Sequence, residues 1–391
     1  MAFVSGPRQA GKTTMAKQLL KQRGAGHYYN WDELKFRRIW TKDPSQIIPI
    51  SNSSSSVKPL IILDEIHKAK LWKRSLKGIY DTHEIPFDIL VTGSARLNVY
   101  RKGSDSLMGR YYHFRLHPFS LSEMSRNNQW IPEENLLTAI LTRTKPATTQ
   151  SREYLHQLYE FGPFPEPLFA GSKRILNLWQ KNRVEKIIRE DLRDLSRLPE
   201  LSQIEMLAAL LPERTAQPFS TRSLSEDLEV SYTTIRRWMN YLKELYYCFE
   251  LKPYSKSLPR SIKKEGKLYL WDWSEIENEG ARFENLISGH LLKYCHYLSD
   301  AGYGAFELYY LKNKDKKEID FLIVKDKKPW LPIEAKLNHD APSENWGTFA
   351  AYLACPYSIQ VTKKSGIFKL IQKNAVQVLL ISADEFLNYL I

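Results

Sequence analysis

The sequence predicts an α/β protein with a parallel sheet near its amino terminus and a smaller α/β domain near its carboxyl terminus. Three short apolar runs, Phe3–Val4, Leu60–Leu63 and the segment FDILVTG, have the character of buried parallel strands. The segment TTMAKQLLKQ follows the first run and is typical of a helix. Strands that alternate with helices are the pattern of an α/β fold.

The loop after the first strand predicts a phosphate-binding site. Gly6 to Thr13 satisfy the pattern G-x-x-x-x-G-K-[ST] in a strand–loop–helix setting. Glycines allow backbone N–H groups to face phosphate oxygens, and the helix N-terminus adds partial positive charge. We expect Lys12 to reach the β- and γ-phosphates and Thr13 to bind Mg²⁺. A glycine-rich turn before an ordinary helix is the alternative. The predicted nucleotide-binding residues are Gly6, Pro7, Arg8, Gln9, Ala10, Gly11, Lys12, Thr13 and Thr14.

The second predicted strand ends in two acids, Asp64 and Glu65. Ligands of α/β sheets bind at the carboxyl ends of the strands. We expect Asp64 to hold Mg²⁺ through water and Glu65 to polarise the attacking water, which favours hydrolysis over binding alone. A salt-bridged strand end is the alternative.

The third predicted strand, FDILVTGSARL, carries Thr92 and Ser94 at its end, where a polar group can position the lytic water. Arg110 follows and is the candidate for neutralising transition-state charge, in its own subunit or a neighbouring one. Arg96 and Arg101 are competing candidates.

Four stretches together carry a family resemblance: Gly6–Thr14, LDEIHK, TGSAR and LMGRYYHFRLHPFSLSE. They resemble a group of AAA-superfamily ATPases common in bacteria and archaea, which are similar to signal-transducing ATPases with numerous domains. The resemblance covers nearly the whole chain and implies ATP and Mg²⁺ as ligands. Relatives carry a segment before the P-loop strand that helps to enclose adenine, whereas this chain begins at Met1. Absence of that segment and a start further upstream both stay open.

Composition narrows the class of protein and the partner. The chain of 391 residues has ordinary hydrophobic content and apolar runs too short to span a bilayer, so we expect a globular, cytoplasmic protein without a signal peptide. The net charge of +13 favours a polyanionic partner such as DNA, with a generally basic surface as the alternative. A protein partner and a homo-oligomer are left open. Three scattered cysteines, Cys248, Cys295 and Cys355, fit a reducing compartment and exclude a cysteine zinc site. His113 and His117 lie in an alternating, strand-like stretch and are interpreted as structural.

The middle of the chain predicts a helical linker followed by a helix-turn-helix. From about Trp130 to Glu200, apolar residues recur at helical spacing, with FGPFPEPL as a proline-punctuated turn. SLSEDLE and YTTIRRWMNYLKELY then predict two helices, with Ser231 capping the second. The strand CFELKPYS follows and could form a wing. If the module binds DNA, the residues expected at bases are Tyr232, Thr233, Thr234 and Arg236, and those at phosphates are Arg237 and Lys243. A lid or a partner-docking module is the alternative.

The last segment predicts a helix followed by three strands: GARFENLISGHLLKYCHYL, AFELYYLKN, KEIDFLIVKD and PWLPIEAKLN. Glu284 lies on the helix, Asp320 on the second strand, and Glu334 and Lys336 on the third. That order resembles the PD-(D/E)XK nuclease fold, in which the acids bind Mg²⁺ or Mn²⁺ and the lysine steadies the water or the phosphate. We expect Glu284, Asp320 and Glu334 as metal ligands and Lys336 as catalytic, with Glu307 and Glu318 as further candidate ligands.

The motif E-x-K alone is weak, because Glu33/Lys35 and Glu265/Lys267 also match it. The fold prediction is therefore a P-loop NTPase parallel sheet with a helical linker, a winged helix-turn-helix and a small restriction-endonuclease-like domain. The predicted divisions are 1–130, 131–200, 201–262 and 263–391. The predicted function is a Mg²⁺-dependent ATPase whose nucleotide state controls the two later modules, acting on DNA, with nuclease activity left open. An ATP-gated switch that binds DNA or protein without cleavage is the alternative.

Overall fold

The structure is a computed structural model that describes residues 1–48, 57–82, 87–93, 107, 109–125, 131–192, 200–255, 265–338, 341–353, 355–373 and 376–391. The chain divides into two compact units. The first comprises residues 1–118 with 244–246, and the second comprises 119–243 with 247–391. Within the described residues, no helix is long and apolar enough to cross a membrane.

The first unit is built on a five-stranded parallel sheet with the strand order β2-β3-β4-β1-β5. This confirms the predicted parallel sheet. The strands are β1 (Ala2–Ser5), β2 (Gly26–Asn30), β3 (Leu60–Asp64), β4 (Asp88–Gly93) and β5 (Tyr112–Arg115). The described helices are α1 (Lys12–Arg23), α2 (Leu34–Lys42) and α3 (Trp72–Thr82), with 3₁₀ turns at Pro44–Ile47 and Ile66–Lys68.

Strand β3 shows why the sheet requires cover on both faces. Ile61 and Leu63 pack into a cluster with Phe36 and Trp40 of α2, whereas Ile62 packs on the other face in the cluster that contains α1. Each of the five residues of β3 is buried. A continuous apolar strand is stable only where helices remove both of its faces from water.

The second unit begins with a helical region, followed by helices at the positions of the predicted helix-turn-helix. The stretch FGPFPEPL is more than a turn, because a short helix begins at its second proline, a favourable first position for helical φ. The described helices are α4 (Leu121–Met124), α5 (Leu136–Leu141), α6 (Thr149–Phe161), α7 (Pro165–Ala170), α8 (Lys173–Glu185), α9 (Leu201–Leu210), α10 (Thr221–Asp227) and α11 (Tyr232–Glu244). A π-helix at Lys186–Leu192 and 3₁₀ turns at Glu133–Asn135 and Pro212–Arg214 complete this region.

A two-stranded antiparallel hairpin follows α11. It pairs β6 (Cys248–Leu251) with β7 (Lys267–Leu270). The predicted helix, turn, helix and strand are therefore present in this order. Their identity as a winged helix stays a prediction.

A six-stranded mixed sheet forms the carboxyl-terminal part, with the strand order β12-β13-β11-β10-β9-β8. The long helix α12 (Glu279–Asp300) packs against β8, β9 and β10, so the predicted helix and its three following strands are present. The strands are β8 (Phe306–Lys312), β9 (Glu318–Lys325), β10 (Lys328–Lys336), β11 (Tyr357–Thr362), β12 (Phe368–Lys373) and β13 (Val376–Ser382). The remaining elements are α13 (Trp346–Leu353), α14 (Ala383–Phe386) and 3₁₀ turns at Trp273–Glu275 and Leu387–Tyr389.

A buried ion pair connects the helical region with the segment before α12. The Arg183 guanidinium donates to Glu275 Oε1 at 2.8 Å, and Tyr247 Oη donates to Glu275 Oε2 at 2.7 Å. Burial raises the pKa of Glu275 to about 7, although the charge of Arg183 opposes the shift. Removal of the guanidinium would leave a buried carboxylate without its counter-charge.

We therefore expect Arg183→Met to destabilise the second unit by about 3–5 kcal/mol. A carboxyl with a raised folded-state pKa favours folding at low pH and loses that contribution as the pH rises. The thermal deficit relative to wild type should consequently grow above pH ~7. Scanning calorimetry between pH 5.5 and 8.5 measures both effects. The control Arg189→Met removes an exposed ion pair with Glu205 and should leave the transition unchanged. An equal shift in both variants would contradict the assignment.

Candidate functional site

The P-loop lies between the end of β1 and the start of α1. Its first glycine has no room for a side chain, because a Cβ on Gly6 would lie 2.2 Å from the carbonyl oxygen of Leu116. Gly11 precedes the helix at φ 98°, in the left-handed region that favours glycine. The loop backbone is thus fixed at one end by close packing and at the other by its conformation.

Lys12 is the first residue of α1, and its side chain turns back into the loop. Its Nζ donates to Gly6 O at 3.0 Å and to Pro7 O at 2.7 Å. The residue is only 7% exposed. The ammonium charge therefore lies inside the loop, next to the helix N-terminus, where phosphate oxygens are favoured.

Asp64, at the carboxyl end of β3, is the centre of a hydrogen-bond network. Thr13 Oγ1 donates to its Oδ2 at 2.7 Å, and Thr92 Oγ1 donates to its Oδ1 at 2.6 Å. Tyr28 Oη also donates to Oδ2 at 2.7 Å. The fold thereby brings Thr13 of α1, Asp64 of β3 and Thr92 of β4 together. With 2% exposure, the carboxylate needs these donors to replace water.

Glu65 follows in a left-handed conformation, with φ 59°. For a residue with a Cβ this conformation costs about 1–2 kcal/mol. Its N–H donates to Thr92 O at 2.9 Å, which ties the strained residue to β4. Its Oε2 lies 3.4 Å from Lys68 Nζ. The carboxylate of Glu65 is thus set at the sheet edge beside Asp64, within reach of a lysine.

Arg110 forms a two-bond pair with Asp81 near the end of α3. Its Nε lies 2.8 Å from Asp81 Oδ1 and its Nη2 lies 2.9 Å from Oδ2. A role for Arg110 in transition-state stabilisation stays a prediction and would require it to exchange this partner. Ser94, Arg96 and Arg101 lie outside the described residues.

The side chains at this edge of the sheet fit a nucleotide with bound Mg²⁺. Mg²⁺ prefers hard oxygen ligands and keeps several waters, and Thr13 and Asp64 offer such oxygens on one edge. Lys12 and the start of α1 supply the charge that phosphate requires. The residues present therefore fit both groups.

The predicted reading helix, α11, is capped as expected, since Ser231 Oγ accepts from Thr234 N at 3.1 Å. Tyr232 and Arg236 line a cavity of about 520 Å³ between α11 and the hairpin, together with residues of β6 and β7. The proposed phosphate contacts are in ion pairs, Arg237 with Glu200 at 3.2 Å and Lys243 with Glu250 at 3.0 Å.

A buried carboxylate cluster lies where α12, β7 and β9 meet. Lys267 Nζ lies 3.0 Å from Glu284 Oε1 and 3.5 Å from Asp320 Oδ1, and it also contacts Glu318 Oε1. Tyr269 Oη donates to Glu284 Oε1 at 2.7 Å. Burial and then the charge of Asp320 raise the pKa of Glu284 to about 7, with Lys267 opposing. Burial lowers the pKa of Lys267, but the surrounding carboxylates outweigh it and the net shift is upward.

The two remaining predicted residues lie on β10. Lys336 Nζ lies 2.8 Å from Glu334 Oε1, and the Glu334 side chain is 1% exposed. Burial and then the charge of Asp320 raise the pKa of Glu334. Asp320 Oδ2 accepts from Ala335 N at 3.0 Å, which joins β9 to β10 at this point. Glu307, the other candidate ligand, is exposed on β8.

Metal binding at this cluster does not follow from the geometry. Among the described residues, no group of three or more His, Cys, Asp or Glu side chains has an arrangement that could hold a metal ion. The ammonium of Lys267 lies among the carboxylates instead. The metal roles of Glu284, Asp320 and Glu334 and the catalytic role of Lys336 stay predictions.

Sequence reasoning missed two residues of these sites. Tyr28 occupies a strand-like stretch, and no motif connects it with Asp64. Lys267 belongs to the Glu265/Lys267 pair, which counted only as a further match to a weak pattern. Its position at the start of an apolar strand, KLYL, was the available signal, because a lysine there must be exposed or paired.

Comparison with known families agrees with the amino-terminal geometry. Residues 1–125 match the AAA domain family. This part of the chain is similar to AAA domains, which supports a P-loop ATPase. Residues 152–274 and 279–380 match two domains of unknown function, DUF8612 and DUF4143.

Proteins similar to parts of this chain occur in archaea and bacteria. An uncharacterised protein of Methanocaldococcus jannaschii is 26% identical over 75% of this chain and 68% of its own length. Another, of Haemophilus influenzae, is 23% identical over 82% of this chain and 78% of its own. A Mycobacterium tuberculosis protein is 23% identical over 70% of this chain and 54% of its own. One chain of the solved structure "Structure of Drosophila ORC bound to DNA" aligns with 12% identity over 68% of this chain and 85% of its own, at a TM-score of 0.24 that carries no inference.

The Tyr28 hydroxyl gives a test of the network around Asp64. Loss of a hydrogen bond that orients a metal-associated carboxylate typically costs 10–100-fold in metal affinity or activity. We expect Tyr28→Phe to raise the Mg²⁺ concentration for half-maximal ATP hydrolysis about tenfold. The control is Tyr29→Phe, because Tyr29 packs with Phe36 in the core and Asp64 does not accept from it. Identical Mg²⁺ titrations for Tyr28→Phe and wild type would remove Tyr28 from the site.

Proposed function

We propose that this protein is a Mg²⁺-dependent ATPase whose nucleotide state controls DNA contacts made by its later modules. The network of Thr13, Asp64 and Thr92 beside the buried Lys12 carries the proposal. The match of residues 1–125 to the AAA domain supports it. Bound Mg²⁺ would neutralise charge on the β- and γ-phosphates.

Each residue at the sheet edge has a separate task in this proposal. Lys12 would exchange its loop carbonyl partners for phosphate oxygens, and Thr13 and Asp64 would hold the metal. Glu65 would orient and polarise the attacking water from its fixed left-handed position. Thr92 would keep the Asp64 carboxylate aligned, because it donates to the oxygen that Thr13 does not use.

The basic charge and the helix-turn-helix pattern support DNA as the partner. The chain has a net charge of +13, and α11 follows α10 across a short turn with its cap at Ser231. Arg236 is exposed near the start of α11, where such helices contact base edges. In this proposal, residues of α11 bind DNA, and the carboxyl-terminal domain resembles a nuclease.

One observation favours the alternative in which DNA is bound and not cut. Two of the three predicted metal ligands, Glu284 and Asp320, already contact the ammonium of Lys267. The protein would then be an ATP-gated switch on DNA.

Incubation with circular and linear DNA, with Mg²⁺ or Mn²⁺ and ATP, distinguishes a nuclease from a switch that binds DNA without cutting it. Strand breaks that disappear in Asp320→Ala would favour the nuclease, and retained binding without breaks would favour the switch.

ATP turnover tests the nucleotide site. Lys12→Ala should abolish hydrolysis, because it removes the buried ammonium that lies inside the loop, where it would reach the phosphates. Lys21→Ala, an exposed change in the same helix, is the control and should keep the wild-type rate. Glu65→Gln should bind ATP and hydrolyse it about 100-fold more slowly. Unchanged turnover in Lys12→Ala would refute the pocket, and normal turnover in Glu65→Gln would place the base elsewhere.

Salt-dependent DNA binding tests α11. Each phosphate contact contributes about one to the slope of log affinity against log salt, whereas a base contact contributes sequence preference. We expect Arg236→Ala to weaken DNA binding by about 1–3 kcal/mol, measured by fluorescence anisotropy across a salt series. Arg222→Ala on α10, which breaks an exposed pair with Glu226, is the matched control. Equal affinity for Arg236→Ala and wild type would exclude this helix face from the interface.

A further inference from the structure

The cluster of Lys267, Glu284, Glu318 and Asp320 has an internal cation of its own. The lysine is 2% exposed and contacts three carboxylates from two different elements, α12 and β9. Its own strand, β7, belongs to the hairpin and not to the six-stranded sheet.

The backbone around Lys267 holds the ammonium in this position. Asn285, on α12 and fully buried, accepts from Leu270 N at 2.7 Å and donates to Leu270 O at 2.8 Å. Its side-chain amide thus binds the end of β7 as a neighbouring strand would. Tyr269 lies between Lys267 and Leu270 on β7, and its hydroxyl donates to the same Glu284 oxygen that Lys267 contacts. The contacts of Lys267 and Tyr269 with Glu284, and of Leu270 with Asn285, therefore hold the hairpin against α12.

Two carboxylate oxygens of the cluster already accept hydrogen bonds from the protein. Glu284 Oε1 accepts from both Lys267 and Tyr269, and Asp320 Oδ2 accepts from the backbone of β10. Mg²⁺ binds such oxygens at about 2.0–2.1 Å. The Lys267 ammonium, 3.0 Å from Glu284 Oε1 and 3.5 Å from Asp320 Oδ1, would repel a divalent ion at close range.

Access is not what excludes the ion. Glu284 lines a cavity of about 610 Å³ together with Glu275, Glu277, Asn278 and Ala281. A hydrated ion can therefore approach the cluster from an acidic cavity. Binding of the ion is opposed by the positive charge of Lys267 at the centre of the cluster.

We propose that the Lys267 ammonium takes the place of the divalent metal in this cluster and thereby excludes Mg²⁺ and Mn²⁺. The residues therefore do not fit the metal that the resemblance to nucleases implies. The inference stands apart from the proposed ATPase, because it concerns only residues of α12, β7 and β9. It would hold whether or not the nucleotide site is active.

Titration of Mn²⁺ into the nucleotide-free full chain, monitored by electron paramagnetic resonance, tests the proposal. Only Mn²⁺ binding that Asp320→Asn removes is counted as binding to the cluster. Wild type should show no such binding up to about 1 mM, the weak end of protein affinities for divalent ions. Lys267→Met should bind one Mn²⁺ with at least ~30-fold higher affinity, the ratio for a divalent ion about 4 Å from an ammonium even at the dielectric constant of water.

The matched control is Lys312→Met. Lys312 lies 3.4 Å from the other oxygen of Glu318 and is more exposed, so its loss removes equal charge without opening the centre. It should resemble wild type. If Lys267→Met does not fold, as judged by circular dichroism, Lys267→Met/Glu318→Gln removes one negative charge with the positive one and is titrated instead.

Two results would overturn the proposal. The first is Asp320-dependent Mn²⁺ binding by wild type with the affinity of Lys267→Met. The second is a folded lysine variant that binds no more Mn²⁺ than Lys312→Met. The Mn²⁺ titration does not depend on ATP hydrolysis, so failure of this proposal is distinguishable from failure of the proposed ATPase.

Discussion

A carboxylate that leaves water must receive hydrogen bonds or an opposite charge in exchange, since the loss of hydration costs several kcal/mol. Both sites of this protein are built around that constraint, with different solutions. Asp64 receives three neutral hydroxyl donors. The carboxyl-terminal cluster receives the ammonium of Lys267. The kind of compensation decides what each site can accept.

Because its donors are neutral hydroxyl groups, the Asp64 carboxylate keeps its negative charge. Neutral donors orient a carboxylate without neutralising it, so a cation with its waters is still attracted. The parallel sheet makes this arrangement available, because β3 and β4 place Asp64 beside Thr92 at one edge. Tyr28 on β2 lies two residues before Asn30, the register partner of Asp64, and its hydroxyl reaches the carboxylate. The strained Glu65 extends the same edge, held by its N–H bond to β4.

In the carboxyl-terminal cluster the donor is an ammonium, which cancels part of the negative charge of the carboxylates. Lys267 neutralises part of the cluster and ties the hairpin after α11 to the sheet that carries Asp320. A buried ion pair of this kind contributes little net stability compared with apolar packing, but it strongly penalises separation of its partners. The hairpin and α12 are therefore held together as one piece, which links the helix-turn-helix region to the carboxyl-terminal sheet in structure as well as in sequence.

The sequence by itself determined the P-loop and its setting, the parallel strands of the first unit, and the helix and three strands that carry Glu284, Asp320 and Glu334. These features are local, since each depends on a continuous run of residues whose spacing has one favourable conformation. Tertiary structure alone decided that Tyr28 donates to Asp64 and that Lys267 lies among the acids. Such contacts join positions far apart in the chain, and their cause is the need to compensate buried charge, which no local spacing encodes.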